Sequence, residues 1–259
     1  MTVLNVHNLR AAPWGTPLLQ GINLKLNAGE ILGVIGANGA GKSTLLQLLA
    51  GDLDADGGSI ELMERPLSRW RGPTRAQCLA VLPQLSLLNF PYAVEEVILL
   101  GRSPHSTGRK RDAEILAQVM EATDTARLEG RIYTQLSGGE KQRVQLARVF
   151  AQIWQNDGHA PRLLLLDEPT AALDLAHQKL ILESLRALAA TGCAVIIVAH
   201  DFNLIASIAD QITVLGDGRQ LAQGNPETVL TTEIFQQAFD IEVALDKHPR
   251  TGRPLVISL

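Results

Sequence analysis

The chain has 259 residues, 46% hydrophobic and 19% charged, an ordinary globular balance and long enough to bury a substantial core, which excludes a disordered or low-complexity protein. Lys and Arg number 23 against 27 Asp and Glu, a formal charge of −4, the wrong sign for a general electrostatic grip on nucleic acid. The two cysteines, Cys78 and Cys193, stand far apart in no metal-ligand spacing, which fits a reducing cytosol, and no stretch approaches the ~18 consecutive apolar residues of a membrane span.

Val3 to Leu9 and Leu18 to Leu26 alternate apolar and polar residues around a Pro-Trp-Gly-Thr-Pro break, predicting two antiparallel strands exposed on one face. Glu30 to Ile35 is a short apolar run ending in the glycine-rich segment Gly36 to Thr44. Leu45, Leu46, Leu48 and Leu49 then supply the apolar face of a helix that stops at Gly51. From about Arg71 to Gly130 strand-like runs thin out. Two Pro-containing loops, Leu82-Pro83-Gln84 and Asn89-Phe90-Pro91-Tyr92, precede helical stretches at 93–101 and 112–122, which predicts a mainly helical subdomain. Arg162 to Asp167 and Ala194 to Ala199 read as strands buried on both faces of a parallel sheet, joined by helical spacing at 175–190 as a βαβ crossover. Beyond Asp210, short strands at 211–215 and 219–223 and a helix near 226–239 lead into a Pro-containing tail from His248.

Gly36 to Ser43 fits G-x-x-x-x-G-K-[ST], placed between a buried strand and a helix, where backbone N–H groups can close on phosphate oxygens. Gly36, Asn38, Gly39, Ala40, Gly41 and Thr44 would wrap the phosphates, Lys42 would reach the β- and γ-phosphates, and Ser43 would ligate Mg²⁺. Asp167 and Glu168 end a buried strand after four leucines, where ligands bind in open α/β sheets. Asp167 would hold Mg²⁺ through water, and Glu168 would orient the attacking water as general base. Ser137-Gly138-Gly139 opens a helix expected to run to Ala151, a second place for an anion.

Leu136-Ser137-Gly138-Gly139-Glu140-Lys141-Gln142-Arg143, with the glycine loop upstream and Leu163 to Pro169 downstream, resembles the nucleotide-binding subunit of ATP-binding cassette (ABC) transporters over essentially residues 1–240. The resemblance implies an α/β fold in a single ABC ATPase domain. Its P-loop NTPase core, with an N-terminal antiparallel β-subdomain, would take residues 1–84 and 160–240; a helical signature subdomain would take 85–159 and a tail 241–259. It also implies ATP and Mg²⁺, and roles that spacing leaves mute. Gln84 matches the glutamine that touches Mg²⁺ and the water and relays nucleotide state to the membrane partner. His200 matches the switch histidine that contacts the γ-phosphate and supports Glu168. Asp174 matches the D-loop aspartate, with Ala171 where many members carry Ser, so any side-chain hydrogen bond from that position is missing. Trp14 stands where members carry an aromatic residue that stacks on adenine, whereas Trp70 and Trp154 read as surface or packing residues. Ser137, Gly138 and Gly139 would close over the γ-phosphate held by a second copy, so a homodimer would sandwich two ATP molecules and act as a nucleotide-controlled lever.

A single cassette of this length resembles importer subunits. That implies two separate transmembrane permease subunits, a periplasmic substrate-binding protein engaged indirectly, and a peripheral place on the cytoplasmic face of the inner membrane. Asn89 to His105 looks like the subgroup serving iron-siderophore, cobalamin and haem permeases. The insertion Trp154 to Arg162 and the tail His248 to Pro254 look most like the haem (hemin) importer ATPases. His105, His159 and His248 read as solvated loop residues, and the ATPase is expected not to bind haem directly. Cassette proteins acting on DNA or ribosomes usually carry long coiled coils or two cassettes, so no nucleic-acid partner is expected. A P-loop kinase leaves Leu136 to Glu140 unexplained.

Overall fold

The computed structural model describes residues 1–13, 15–84, 88–154 and 161–259. In chain order the elements are β1 (Thr2–Ala11), β2 (Leu19–Asn27), β3 (Ile31–Gly36), α1 (Lys42–Ala50), β4 (Gly57–Leu62), β5 (Arg65–Pro66), α2 (Gly72–Cys78) and β6 (Leu79–Leu82). Next come α3 (Val94–Leu99), α4 (Arg109–Ala122), α5 (Gly138–Ile153), β7 (Arg162–Asp167), α6 (Leu175–Ala190), β8 (Cys193–Val198), α7 (Phe202–Ile208) and β9 (Gln211–Gly216). The chain closes with β10 (Arg219–Gly224), α8 (Pro226–Val229), α9 (Thr232–Phe239), β11 (Val243–Lys247) and β12 (Pro254–Ser258).

Two sheets carry the architecture. An antiparallel sheet has the order β2-β1-β4-β5, and a six-stranded sheet has the order β10-β9-β3-β8-β7-β6. In the second, β9, β3, β8, β7 and β6 are mutually parallel, and β10 closes the edge antiparallel to β9. The central strands β3, β7 and β8 are buried at every residue, which is why their sequences are apolar runs apart from Arg162 and Asp167 at the two ends of β7. Successive side chains alternate between the two faces. Leu32, Val34, Leu163, Leu165 and Ile196 face one core with α1 and the antiparallel sheet, while Ile35, Leu164, Leu166, Val195 and Ile197 face the other with α5 and α6. Each fully buried Leu or Ile contributes about 1.5–3 kcal/mol of transfer free energy, so these strands anchor the loops that leave their C-terminal ends.

The expectation of a mainly helical stretch from Arg71 is corrected at β6, which pairs in parallel with β7 from Leu79↔Leu163 to Leu82↔Leu166. Four residues are too few to show a period. The expected helix near 226–239 is two helices, α8 and α9, with the Thr231 side chain capping the second by accepting from the Ile234 amide at 3.3 Å. The tail after residue 241 folds into the β11–β12 hairpin. This hairpin sits against α7 through Asn203, whose amide group pairs both ways with Val256, and through Arg253, which donates to the carbonyls of Ala206 and Ala209 at 3.0 and 2.8 Å. Among the described residues no helix is long and apolar enough to cross a membrane.

Candidate active site

The glycine-rich loop runs from the end of β3 to the start of α1, with its geometry fixed by crowding on both sides. A Cβ on Gly36 would lie 2.4 Å from the Leu215 carbonyl oxygen. Gly41, at φ 96° as the N-cap of α1, would place a Cβ 2.6 Å from Leu19 Cδ2. The side chain of Lys42 curls back over the loop and donates to the carbonyls of Gly36 and Ala37 at 2.7 and 2.9 Å. Burial pulls its pKa down from the ordinary lysine value, partly opposed by the carboxylates of Glu168 and Asp167.

Asp167 terminates β7, and its Oδ2 accepts the Ser43 hydroxyl at 3.1 Å. Burial raises the Asp167 pKa above the carboxylate norm, with the Ser43 hydrogen bond opposing it. A serine hydroxyl, a buried carboxylate in want of positive charge and the nearby Gln84 amide are hard oxygen donors, the kind Mg²⁺ takes alongside waters and phosphate oxygens. The residues present therefore fit that ion.

Glu168 adopts φ 51°, its amide donating to the Val198 carbonyl at 2.9 Å. This turn aims the carboxylate at two residues from other loops: Gln84 Nε2 donates to Oε1 at 3.3 Å, and His200 Nε2 stands 2.8 Å from the same oxygen. Gln84 follows the edge strand β6 and His200 follows β8, so the parallel sheet delivers all three to one end. Asn38, Gly39, Gly41, Lys42, Ser43, Thr44, Gln84, Asp167, Glu168 and His200 line one cavity of about 310 Å³, joined by Leu18, which the sequence does not single out. Gly36 and Ala40 belong to the same loop but do not line the cavity. Larger clefts, of about 600 Å³ beside Trp70 and about 630 Å³ beside Ser137, lack this convergence of a lysine, a hydroxyl and two carboxylates. Trp14 lies outside the described residues.

Ser137, Gly139 and Asp174 sit elsewhere, on the cavity of about 630 Å³, which shares no lining residue with the first. Ser137 caps α5 by accepting from the Glu140 amide at 3.3 Å, while Glu140 accepts from the Ser137 amide at 2.8 Å, a reciprocal cap. That bond, the Ser137 hydroxyl and Arg131 hold the Glu140 carboxyl down at about 2. Gly138 opens the helix with free space around it, and a Cβ on Gly139 would lie 2.9 Å from the Ala172 carbonyl oxygen. Sequence reasoning missed Gln142, whose amide donates to the carbonyls of Glu168 and Pro169 at 3.4 and 3.1 Å and so ties α5 to the turn bearing the carboxylate. Its place in the Leu136–Arg143 segment was the only signal for it. Also missed were Arg127, Arg143 and His177 around the second cavity.

The solvated reading of the loop histidines is corrected for His105. Its Nε2 stands 2.7 Å from the Gln152 carbonyl oxygen, and burial lowers its pKa. His248 organises the β11–β12 turn, Nδ1 accepting from the amides of Arg250 and Thr251 at 3.3 and 3.4 Å. His159 lies outside the described residues. Trp70 packs as expected, donating to the Leu62 carbonyl at 3.1 Å, and Trp154 stacks on Phe150.

A backbone cradle with a lysine, a hydroxyl–carboxylate pair for a hard cation and a carboxylate held by two polar groups can bind a nucleoside triphosphate and direct water at its terminal phosphate. The ABC transporter family model matches residues 19–171. The hemin import ATP-binding protein HmuV of Pseudomonas fluorescens (strain Pf-5) is 49% identical over 99% of this chain and 100% of its own length. The protein of the same name from Gloeobacter violaceus is 49% identical over 95% and 90%. A chain of an inward-facing transporter described as of metal-chelate ABC type superposes with a TM-score of 0.82 at 30% identity, covering all of this chain and 98% of that one. With more than half of its length inside the family model and relatives near half identical from end to end, this chain belongs to the ABC transporter family.

Proposed function

We propose that the chain is the ATP-hydrolysing subunit that energises haem import through a partner permease. The observation that carries hydrolysis is the single carboxylate of Glu168, held by Gln84 and His200 at the mouth of the phosphate loop. The haem cargo rests on end-to-end similarity to proteins named for hemin import.

In this reading Lys42 exchanges the Gly36 and Ala37 carbonyls for β- and γ-phosphate oxygens, and the amides of Asn38 to Thr44 wrap the phosphates. Ser43, Asp167 and Gln84 would hold Mg²⁺, which would supply charge neutralisation for the phosphates. Glu168 accepts the proton of the attacking water while the water oxygen bonds to the γ-phosphorus and the bond to the β-bridging oxygen breaks, leaving ADP and phosphate. His200 keeps the carboxylate oriented and reaches the γ-phosphate side. Ser137, Gly139 and Asp174 line a separate cavity, which supports the reading that they, with Gly138, serve the nucleotide of a second copy in a head-to-tail homodimer. Two permease subunits and, beyond them, a periplasmic binding protein complete the machine. The chain works on the cytoplasmic face of the inner membrane. Closure by γ-phosphate contacts and release after hydrolysis drive alternating access.

Glu168→Gln keeps the shape and removes the base. Turnover should fall by about 10²–10⁴-fold while ATP binding persists and an ATP-bound dimer accumulates on gel filtration. Reconstituted with its permease, the wild-type chain should hydrolyse ATP faster when a haem-loaded binding protein docks, and the isolated chain should ignore haem. Near-wild-type turnover of Glu168→Gln would sink the catalytic assignment, and uptake of cobalamin or a ferric siderophore in place of haem would sink the cargo.

A further inference from the structure

A bridge of side chains joins three elements behind the second cavity. Asp174 caps α6, its Oδ1 accepting from the His177 amide at 2.9 Å, and the same oxygen stands 2.8 Å from Nδ1 of the His177 ring. The other ring nitrogen, Nε2, lies 3.1 Å from Asp124 Oδ2 in the turn after α4. Asp124 Oδ2 also takes Arg143 Nη1 of α5 at 2.8 Å and Arg127 Nη2 at 3.0 Å. A left-handed backbone at Asp124, φ 49°, presents the carboxylate to all of them. The side chain of Arg143 is only 3% exposed, so this pairing is not readily replaced by water. The ring spans the gap in either protonation state: with both nitrogens protonated each donates to a different carboxylate, and in the neutral ring Nδ1–H donates to Asp174 while Nε2 accepts from Arg127 Nη2 at 3.2 Å, which itself holds Asp124.

Among the described residues no other side-chain hydrogen bond ties this end of the loop directly to α5. Gln142 of α5 fixes residues 168 and 169. Gln178 fixes Thr170 and Leu173 to α6, their own helix. Between α5 and residue 172 there is a close backbone approach at Gly139. His177 carries the hydrogen-bonded path from Asp174 across to Asp124 and so to the helix that Ser137 caps.

We infer that His177 is a positioning residue that locks the Asp174 loop to the signature helix, so that both parts of the surface offered to a second copy's nucleotide move as one body. The inference rests on the head-to-tail reading above. The chain's own phosphate cavity shares no residue with the bridge. Loss of the ring therefore costs turnover in the dimer and spares nucleotide binding by the monomer.

The test uses the full chain. His177→Ala should lower kcat by roughly ten- to hundredfold, the scale of misplacing reacting groups, with KM for MgATP and monomer affinity for ATP near wild type. On a Glu168→Gln background it should weaken the ATP-bound dimer. Combined with Asp124→Asn, which keeps an acceptor for Arg143, the loss should not multiply, because both changes cut one path. If Asp124→Asn fails to fold, the kcat-against-KM split and the dimer measurement decide alone. Ser137→Arg, run in parallel, should block the dimer. If it does so while His177→Ala keeps wild-type kcat, loses monomer affinity instead, or multiplies fully with Asp124→Asn, the inference is overturned and the head-to-tail reading stands. If Ser137→Arg still dimerises with ATP, both fall.

Discussion

Glu168 holds a left-handed backbone that costs a non-glycine residue about 1–3 kcal/mol, and the Val198 carbonyl and the Gln142 amide hold it there. Its neighbour Asp167 is costly in another way. Burial raises its folded-state pKa above the unfolded value of 3.8, so the folded chain binds the proton more tightly than the unfolded one. Its favourable contribution is present below the unfolded pKa and is lost as pH rises through the folded pKa, leaving a buried charge as a liability at neutral pH. Asp167→Asn should therefore raise the melting temperature of the nucleotide-free chain at neutral pH, with the gain shrinking towards about pH 4, and should collapse Mg²⁺-dependent turnover. Thermal melts across pH check this, and an unchanged or lower neutral melting temperature would refute it. Lys42, Ser43, Asp167 and Glu168 are legible in the sequence because phosphate chemistry demands them at fixed chain spacing. Gln84 and His200 needed a family resemblance, as did Asp174, and the bridge from Asp174 and His177 to Asp124 and Arg143 has no sequence signature, since its two halves are far apart in the chain and its members individually common.

Strands buried on both faces are the elements the sequence shows best, and α6 between β7 and β8 lies where its helical spacing places it. Elements that bury little or are short are hidden: in β4 only Leu62 is fully buried, and α7, though well buried, has only seven residues. The turn between β9 and β10 follows from the short strands expected at 211–215 and 219–223, but its contact with the phosphate loop, which it steadies from outside, does not. Gly218, at φ 71°, is so close to β2 that a Cβ would stand 2.2 Å from the Leu18 carbonyl oxygen, and its own carbonyl accepts from the Gln20 amide at 2.8 Å. Leu18 and Leu19 in turn press on Gly41. Gly218→Ala should cost about 1–3 kcal/mol of stability in a urea melt and weaken ATP binding, because the displaced strand pushes into the loop. A loss of stability with unaltered affinity would show that the two glycines are not mechanically linked.

At the scale of the whole molecule, the α/β layering is legible from hydrophobic periodicity alone. The C-terminal hairpin is not, because its alternation is weak and exposed and its partner α7 leaves no trace in the pattern. That hairpin reaches back to the catalytic end through a short path: His200 and Asp201 lead straight into α7, and Arg253 takes two carbonyls at the other end of this helix. In terms of amide hydrogen exchange, α7 should open only when the hairpin lifts, although it lies some fifty residues away in the chain. Arg253→Ala should remove charge-assisted bonds of about 1.5–3 kcal/mol and speed exchange in α7 by roughly ten- to hundredfold, with α6 unchanged. Slow, unaltered exchange in α7 would mean that its protection arises within the sheet. With exchange in α7 following Arg253, a label or cleavage introduced near Arg253 acts on the mounting of His200, and the hairpin is part of the enzyme.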